Sequence, residues 1–217
     1  MAQLFSRTAN TIAKFSIYGG AVLAGALGWL VISAAPRSSY ANGQGVVYKQ
    51  PVPFSHDHHT AGLGIDCRYC HTSVEEAAFA GIPPIATCMN CHKNIWTNAQ
   101  LLEPIREAFR TETPVQWRRV NDLPDFVYFN HSIHVAKGVS CFVCHGEVNK
   151  MPLLYQQASL QMEWCLDCHR NPEKYVRPRS EIFNWDYQPV GSQLEVGKKL
   201  VADYHIQSMT NCSTCHR

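Results

Sequence analysis

The chain has 217 residues, of which 46% are hydrophobic and 17% are charged. All 17 acidic residues follow Pro36, whereas two of the 19 basic residues, Arg7 and Lys14, precede it, so the remainder carries 17 charges of each sign. A neutral segment of this length gives no argument for nucleic-acid binding. The length alone suits one or two ordinary domains, so the motifs decide the class.

An uncharged apolar segment, residues 15–35, lies close to the N-terminus. As a helix it would be about 31 Å long, which matches a bilayer hydrocarbon core of about 30 Å. Arg7 and Lys14 precede it without a nearby acid, so the positive-inside bias predicts cytoplasmic residues 1–14, a transmembrane helix over 15–35 and an exported remainder. A signal peptide cleaved near Ala41 is the alternative, but the apolar core of such a peptide is usually only about 7–15 residues long.

All ten cysteines belong to five copies of one pentapeptide, Cys-x-x-Cys-His. The cysteines are Cys67, Cys70, Cys88, Cys91, Cys141, Cys144, Cys165, Cys168, Cys212 and Cys215, and the motif histidines are His71, His92, His145, His169 and His216. This spacing is typical of c-type haem attachment, in which both thiols form thioethers to the porphyrin and the adjacent imidazole binds the iron. Disulfides or zinc half-sites would not explain a histidine after every second cysteine. The sequence therefore predicts five covalently bound c-type haems.

Haem density constrains the fold. Five haems within residues 56–216 leave 161/5, or roughly 32, residues for each haem. So little polypeptide cannot also build a separate hydrophobic core, and we expect the haems themselves to form it. The predicted fold is therefore mostly α-helical and irregular, with a haem-packed core and one N-terminal transmembrane helix.

The exported part contains an internal repeat. The pattern Phe-x-His-x-x-His starts at Phe54 before the first two motifs and at Phe129 before the next two. The copies are offset by 75 residues at the first histidine (131 − 56) and by 74 at the first motif (141 − 67). The pattern predicts a duplicated two-haem module and a C-terminal extension. The predicted segments are a first module over 36–100, a connector over 101–125 that begins as a helix, a second module over 126–175 and an extension over 176–217 with the fifth motif.

Six histidines lie outside the motifs, and a low-spin electron-carrying haem needs a second axial ligand from His or Met. These histidines are His56, His58, His59, His131, His134 and His205. His58 aligns with Ile133 in the second repeat, and we expect it to be a solvated loop residue. The supply then matches the five distal positions that five haems require.

The fifth distal position has several candidates. His205 precedes the last motif and is the first choice. Met151, Met162 and Met209 are alternatives, and a methionine ligand would raise the reduction potential relative to two histidines. Methionines are more often packing residues, so these three stay open.

The Phe-x-His-x-x-His segments resemble the opening of the small multihaem cytochromes of the c3 and c7 type. In those proteins the first histidine is the distal ligand of the haem that follows, and the second reaches a different haem. The resemblance implies that His56 serves the Cys67 haem and that His131 serves the Cys141 haem. It also implies that His59 and His134 serve other haems.

The whole layout resembles the pentahaem cytochrome c component of bacterial alternative complex III. The apolar N-terminal segment, the paired modules, the terminal motif Asn211-Cys212-Ser213-Thr214-Cys215-His216-Arg217 and the opening residues 1–13 carry this resemblance. It implies a non-catalytic electron-carrier subunit of a quinol-oxidising complex in the inner membrane, with its haem domain on the periplasmic side. The implied partners are an iron–sulfur subunit, integral-membrane quinol-oxidising subunits, and a monohaem cytochrome c, soluble carrier or oxidase as acceptor.

Two alternatives remain open at this stage. A stand-alone quinol dehydrogenase of the NapC/NrfH type also has one N-terminal helix and several c haems. Those proteins usually carry four haems and a methionine two residues after the first motif histidine, where this chain has Ser73. An anchored catalytic reductase is disfavoured because every motif ends in histidine and distal ligands are plentiful. Outer-sphere electron transfer along a row of haems is therefore the expected mechanism.

Overall fold

The computed structural model describes Ser6 and residues 8–216, and this part of the chain contains helices and irregular segments but no β-strand. The α-helices are α1 (Ala9–Ala34), α2 (Ser39–Asn42), α3 (Cys67–Cys70), α4 (Ile85–His92), α5 (Glu103–Arg110), α6 (His131–Ala136), α7 (Cys141–His145), α8 (Met162–Arg170), α9 (Gln193–Asp203) and α10 (Cys212–Cys215). Short 3-10 turns cover Ala35–Arg37, Gln100–Leu102, Val148–Lys150, Pro172–Lys174 and Arg179–Glu181, and a π-helical segment covers Asp57–Gly62. The expected mostly helical and irregular fold is confirmed.

The chain divides into two compact units, one ending at Gln44 and the other beginning at Gly45. The first unit contains α1, which begins at Ala9, six residues before the apolar segment predicted from residue 15. None of the residues of α1 is buried, and by length and composition this helix could cross a membrane. The predicted apolar helix is therefore present, while Arg7 lies outside the described residues.

Apolar packing in the second unit is confined to two small clusters. The first contains Val52, Leu102 and Ile105, with Cys88 of the second motif packed against it. The second contains Val74, Val135 and Ile182, with Cys141, Ala80 and Phe183 packed against it. Each cluster includes a cysteine of a Cys-x-x-Cys-His motif, so the polypeptide core is built against the motifs.

The connector begins as the helix that its pattern predicts. Helix α5 buries Ile105 and Ala108, whereas Phe109 is exposed. Arg106 extends this packing by donating to the carbonyl of Ala99 at 3.0 Å. Ile105 and Ala108 therefore form the inward face of this helix.

Helix α9 packs on the short Pro172–Lys174 turn that follows the fourth motif. Gly197 is buried at this contact, and a β-carbon there would collide with the backbone of Glu173. Gln193, one turn earlier, donates to the carbonyls of Glu173 at 3.1 Å and Val176 at 2.9 Å. A glycine on this face therefore lets the extension lie directly against the second module.

Candidate haem-binding centres

The two cysteines of each motif lie on a short helix, α3, α4, α7, α8 or α10, and in α3 and α10 the motif histidine is the residue directly after the helix. Side-chain caps start two of them. The Asp66 carboxylate accepts from Arg68 N at 2.8 Å before α3, and the Ser140 hydroxyl accepts from Phe142 N at 3.3 Å before α7. A helical turn places both cysteines and the histidine within one segment of four to five residues, as attachment to one porphyrin requires.

Most of the motif and spare histidines are oriented by a hydrogen bond from Nδ1 to a backbone carbonyl. The pairs are His59 with Ser55 (2.7 Å), His71 with Gly81 (2.7 Å), His92 with Ile95 (3.2 Å), His131 with Ala78 (2.8 Å), His134 with Asn130 (2.7 Å) and His216 with Phe126 (3.1 Å). An Nδ1 that donates to a carbonyl leaves Nε2 as the lone-pair nitrogen. This is the arrangement that metal-binding histidines usually show.

Three spare histidines face three motif histidines at nearly the same separation. The ring centres of His59 and His92 are 6.3 Å apart, those of His131 and His145 are 6.3 Å apart, and those of His134 and His169 are 6.2 Å apart. An iron bound between two imidazoles at a metal–nitrogen distance of about 2 Å puts the ring centres roughly 6.3 Å apart. The three pairs could therefore each hold one haem iron.

His56 lies close to the first motif histidine. Burial lowers the pKa of His56 to about 4, and among its charged neighbours His71 depresses it most, followed by His59 and His145. The Nδ1 atom of His56 is buried without a hydrogen-bond partner among the described residues. That His56 serves the Cys67 haem stays a prediction.

A phenylalanine supports the paired histidines in both repeats. The Phe54 ring stacks on His59 at 4.5 Å and meets His56 edge-on at 4.8 Å. Phe129 repeats this geometry, stacking on His134 at 4.4 Å and meeting His131 edge-on at 4.8 Å. Sequence reasoning used these phenylalanines only to mark the repeat, although the periodic pattern already contained the signal for their packing role.

Burial keeps the buried imidazoles neutral, which is the form that binds metal. It lowers the pKa of His145 to about 4, with His131 and His71 adding to the effect. Burial also lowers the pKa of His134, and His169 and His131 act in the same direction. His145 and His134 are therefore each influenced by the histidine that they face. Each is also influenced by a histidine of a neighbouring centre.

His58 is exposed as predicted, but it lies in the π-helical segment Asp57–Gly62 and not in a loop. His58 stacks on the exposed ring of Trp96 at 5.9 Å and meets His59 edge-on. It does not face a motif histidine in the way that His59 does. Its environment agrees with the interpretation of a surface residue.

The fifth centre is only partly built by the described residues. His216 donates to the Phe126 carbonyl, and Tyr128 N donates to the carbonyl of Cys215 at 2.8 Å, so the last motif is fixed to the start of the second module. His205 is exposed at a left-handed φ of 50°, and its ring makes no side-chain hydrogen bond or ring contact with the described residues. The structure does not bring His205 and His216 together as a facing pair.

The three methionine candidates differ in burial. Met151 is only 3% exposed, and its carbonyl accepts from Asp57 N at 3.2 Å. Met162 and Met209 are exposed to 66% and 51% respectively. Met151 therefore lies in packed protein beside the first histidine segment.

The motif cysteines approach one another from motif to motif. The Cys67 and Cys141 thiols are neighbours, and their interaction lowers the pKa of Cys67 to about 7 and raises that of Cys141. Burial followed by the neighbouring Cys88 thiol raises the pKa of Cys70. Burial, Cys168 and then Cys165 raise the pKa of Cys144 to about 12.

The last motif joins the same series. Burial followed by Cys215 raises the pKa of Cys165. These influences on the thiol pKa values link the second motif with the first, the first with the third, the third with the fourth and the fourth with the fifth. The donor set of paired thiols, neutral imidazoles and free Nε2 atoms fits c-type haem at these positions.

Two family models match separate parts of the chain. The family described as cytochrome c7 and related cytochrome c matches residues 127–217, and the class III cytochrome C family matches residues 33–116. Together with the fold and the motif geometry, these matches define the chain as a multihaem cytochrome c of the class III and c7-like kind. The predicted haem chemistry and electron-transfer role are confirmed at this level.

A curated relative matches more than two thirds of the chain. The multihaem cytochrome c subunit of menaquinone reductase from Nitratidesulfovibrio vulgaris (strain Hildenborough) is 28% identical over 173 residues. The match covers 70% of this chain and 79% of the relative. This chain is therefore similar to a cytochrome subunit named as part of a menaquinone reductase.

Proposed function

We propose that this chain is the electron-transfer subunit of a quinone-linked membrane complex and relays electrons through five covalently bound c-type haems. The observation that carries the proposal is the set of five motif helices together with three facing histidine pairs, whose ring centres are 6.2–6.3 Å apart. Each haem, when bound, supplies one-electron redox chemistry at its iron. The protein residues set spacing, axial ligation and burial.

The proposed ligand sets follow from the facing histidines. His71 and His56 would hold the haem attached to Cys67 and Cys70, while His92 and His59 would hold that of Cys88 and Cys91. His145 and His131 would hold the haem of Cys141 and Cys144, while His169 and His134 would hold that of Cys165 and Cys168. His216 would hold the haem of Cys212 and Cys215. With both axial positions filled, these centres would carry electrons and bind no substrate.

His205 remains the proposed distal ligand of the fifth haem. Lys137 donates to the Tyr204 carbonyl at 2.6 Å and Arg179 N donates to the Tyr204 hydroxyl at 3.2 Å, so the immediate neighbour of His205 is fixed on the second module. Met209 and Met162 are the exposed alternatives, and Met151 is disfavoured because it is packed.

The proposed relay runs from the second motif through the first, third and fourth to the fifth. Its two ends are the most accessible, since Cys91 and Cys212 are exposed whereas the other eight cysteines are partly buried. Exposed terminal haems suit exchange with partners, and enclosed central haems suit internal transfer. One end would face the iron–sulfur subunit, while the other would face a monohaem cytochrome, soluble carrier or oxidase.

The proposed location is the inner membrane, with α1 as a single-pass anchor and the haem unit on the periplasmic side. Its uncharged apolar length and the basic residues that precede it support this topology. The similarity to a menaquinone reductase subunit supports partners that exchange electrons with a quinone. A haem relay conducts in either direction, and the potentials of its partners decide whether quinol is oxidised, as in alternative complex III, or quinone is reduced.

The test compares the isolated chain in mild detergent with the intact membrane complex. A menaquinol analogue is added, and the reduced α band of the haems is followed with time. We expect rapid reduction in the complex and none in the isolated chain, because the proposal places the quinone site on other subunits. Prompt, inhibitor-sensitive reduction of the isolated chain would instead identify a stand-alone quinol dehydrogenase of the NapC/NrfH type.

A further inference from the structure

One short segment of the first module, residues 77–81, binds a histidine of each module. The carbonyl of Gly81 accepts from Nδ1 of His71, the first motif histidine, at 2.7 Å. Three residues earlier, the carbonyl of Ala78 accepts from Nδ1 of His131 at 2.8 Å. His131 belongs to the second module and faces the third motif histidine, so this segment, hereafter the bridging loop, orients ligands of two different haem centres.

The bridging loop is held to both modules through its backbone. Ala78 O also accepts from His131 N at 3.1 Å, and Ala77 O accepts from Ser132 N at 3.2 Å, so the loop caps the start of α6. On its own side, the Ser73 hydroxyl donates to Phe79 O at 2.9 Å. The loop is therefore a fixed connection and does not merely pass between the modules.

Gly81 determines where the second carbonyl points. Its φ of +84° lies in the left-handed region, and a β-carbon there would lie 2.9 Å from Ser73 Oγ. Only glycine meets both conditions without a shift of the chain. The packing of Ala80 against the cluster that contains Val135 and Cys141 adds a side-chain contact to the same interface.

The bridged centres also meet in one apolar cluster. Val74, three residues after His71, packs with Val135 of α6, and Cys141 of the third motif packs against them. The step between the first and third motifs is the single passage from one module to the other in the proposed relay. Any change in the bridging loop would therefore act on both partners of that step.

We infer that the bridging loop is a positioning element that jointly sets the axial-ligand orientation and the reduction potentials of the first and third haems. A carbonyl that accepts from Nδ1 makes the imidazole a more basic ligand and favours the ferric state. Displacing the loop weakens both Nδ1 bonds at once, so both potentials rise together. The inference rests on the proposed function, because it takes His71 and His131 as iron ligands.

The test uses the haem-loaded full chain with the substitution Gly81→Ala. Redox titration is followed by NMR of the haem methyl signals, which separates the individual haems. We expect the potentials of two haems, those of the first and third motifs, to rise while the others stay unchanged. Gly191→Ala is the matched control, because Gly191 has a similar φ of +87° but only a 3.8 Å contact with Glu195, and it should shift neither haem.

A milder variant is used in case Gly81→Ala does not yield haem-loaded protein. Ser73→Ala removes the bond to Phe79 O without adding volume and should shift the same two potentials by a smaller amount. A shift confined to one haem, a uniform shift of all haems or no shift in either variant would overturn the inference. Fewer than five haems in the wild-type chain, measured first by intact mass, would instead overturn the proposed function.

Discussion

Nδ1 of His131 donates to the carbonyl of Ala78 at 2.8 Å, although the two residues belong to different repeats of the sequence. This hydrogen bond joins the two modules close to the first and third motifs. The second motif then lies at one end of the series, beside Cys70, and the fourth lies beyond the third, beside Cys144. The order of the motifs in space therefore differs from their order in the chain.

Removing a facing histidine should leave one haem without its sixth ligand. His59→Ala is expected to convert one haem of five to the high-spin state, because His59 faces His92 at 6.3 Å. The control is His58→Ala, one residue away, where the ring stacks on Trp96 at the surface. Absorbance and electron paramagnetic resonance of the ferric proteins measure the result, and equal effects of the two variants would contradict the assignment.

The angles between facing rings predict distinct magnetic signatures. The His131 and His145 planes are nearly parallel at 5°, whereas His134 and His169 cross at 82° and His59 and His92 at 66°. Two parallel imidazoles interact with the same one of the two iron dπ orbitals, so the energies of these orbitals differ. Two crossed imidazoles interact with one dπ orbital each, so the two energies stay nearly equal. Electron paramagnetic resonance should therefore show one rhombic low-spin haem and two highly anisotropic ones among these three. Three identical signals would disagree with the ring geometry.

The exposed His205 gives a test of the fifth centre. If it serves the last haem, His205→Ala should produce one high-spin haem, and His205→Met should restore a low-spin haem with a raised potential. Potentiometric titration of the two variants measures both effects. Unchanged spectra in both variants would transfer the assignment to a methionine, for which Met209→Ala is the matching variant.

The Asp66 cap should contribute a pH-dependent part of the stability. The side-chain hydrogen bond from Arg68 holds the Asp66 pKa below its ordinary value, so its stabilisation is present above the unfolded-state pKa and is lost as the pH falls through the folded pKa. Asp66→Asn keeps the cap but loses the charge, and should cost less than about 1 kcal/mol at neutral pH, since the Asp66–Arg68 pair is half-exposed. Asp66→Ala also loses the cap and should cost about 1 kcal/mol more.

Thermal unfolding of these two variants at neutral and acidic pH measures how much the charge and the helix cap of Asp66 each contribute to stability. The difference between wild type and Asp66→Asn should shrink as the pH falls below the ordinary carboxyl pKa. A difference that grows on acidification would contradict the sign of the linkage.

The close contact under α9 predicts a local packing defect. Gly197→Ala puts a β-carbon against the Glu173 backbone and should lower the free energy of unfolding by about 1–3 kcal/mol. Lys198→Ala, the exposed neighbour on the same helix, should change it by less than about 0.5 kcal/mol. Thermal melting compares the two, and a neutral Gly197→Ala would show that the extension does not pack tightly on the Pro172–Lys174 turn.

Local pattern was enough to predict the haem motifs, the apolar helix and the repeat. Cys-x-x-Cys-His encodes haem attachment within five residues, whereas the expectation that His59 and His134 serve haems other than the next one follows from the resemblance to c3 and c7 cytochromes. Which haems they serve could not be derived, because the partners His92 and His169 are set by how each module folds back on itself. The position of His205 is undetermined for the same reason.

The carbonyls of the bridging loop lay beyond sequence reasoning. Ala78 and Gly81 act through backbone atoms, and any residue supplies a carbonyl, so no side-chain pattern marks them. Gly81 gave the one available signal, since a glycine before Ile82-Pro83-Pro84 is consistent with a left-handed turn. The motif order was equally hidden, because the Cys67–Cys141 contact joins residues far apart in the chain.

An experimental structure of the haem-loaded protein within its membrane complex tests the central claim most directly, through the iron-to-iron distances. The relay predicts that nearest neighbours follow the order of the motifs at Cys88, Cys67, Cys141, Cys165 and Cys212. The shortest inter-module distance should join the Cys67 and Cys141 haems. A Cys67 haem at one end of the row, or a Cys88 haem nearest to the second module, would contradict the relay.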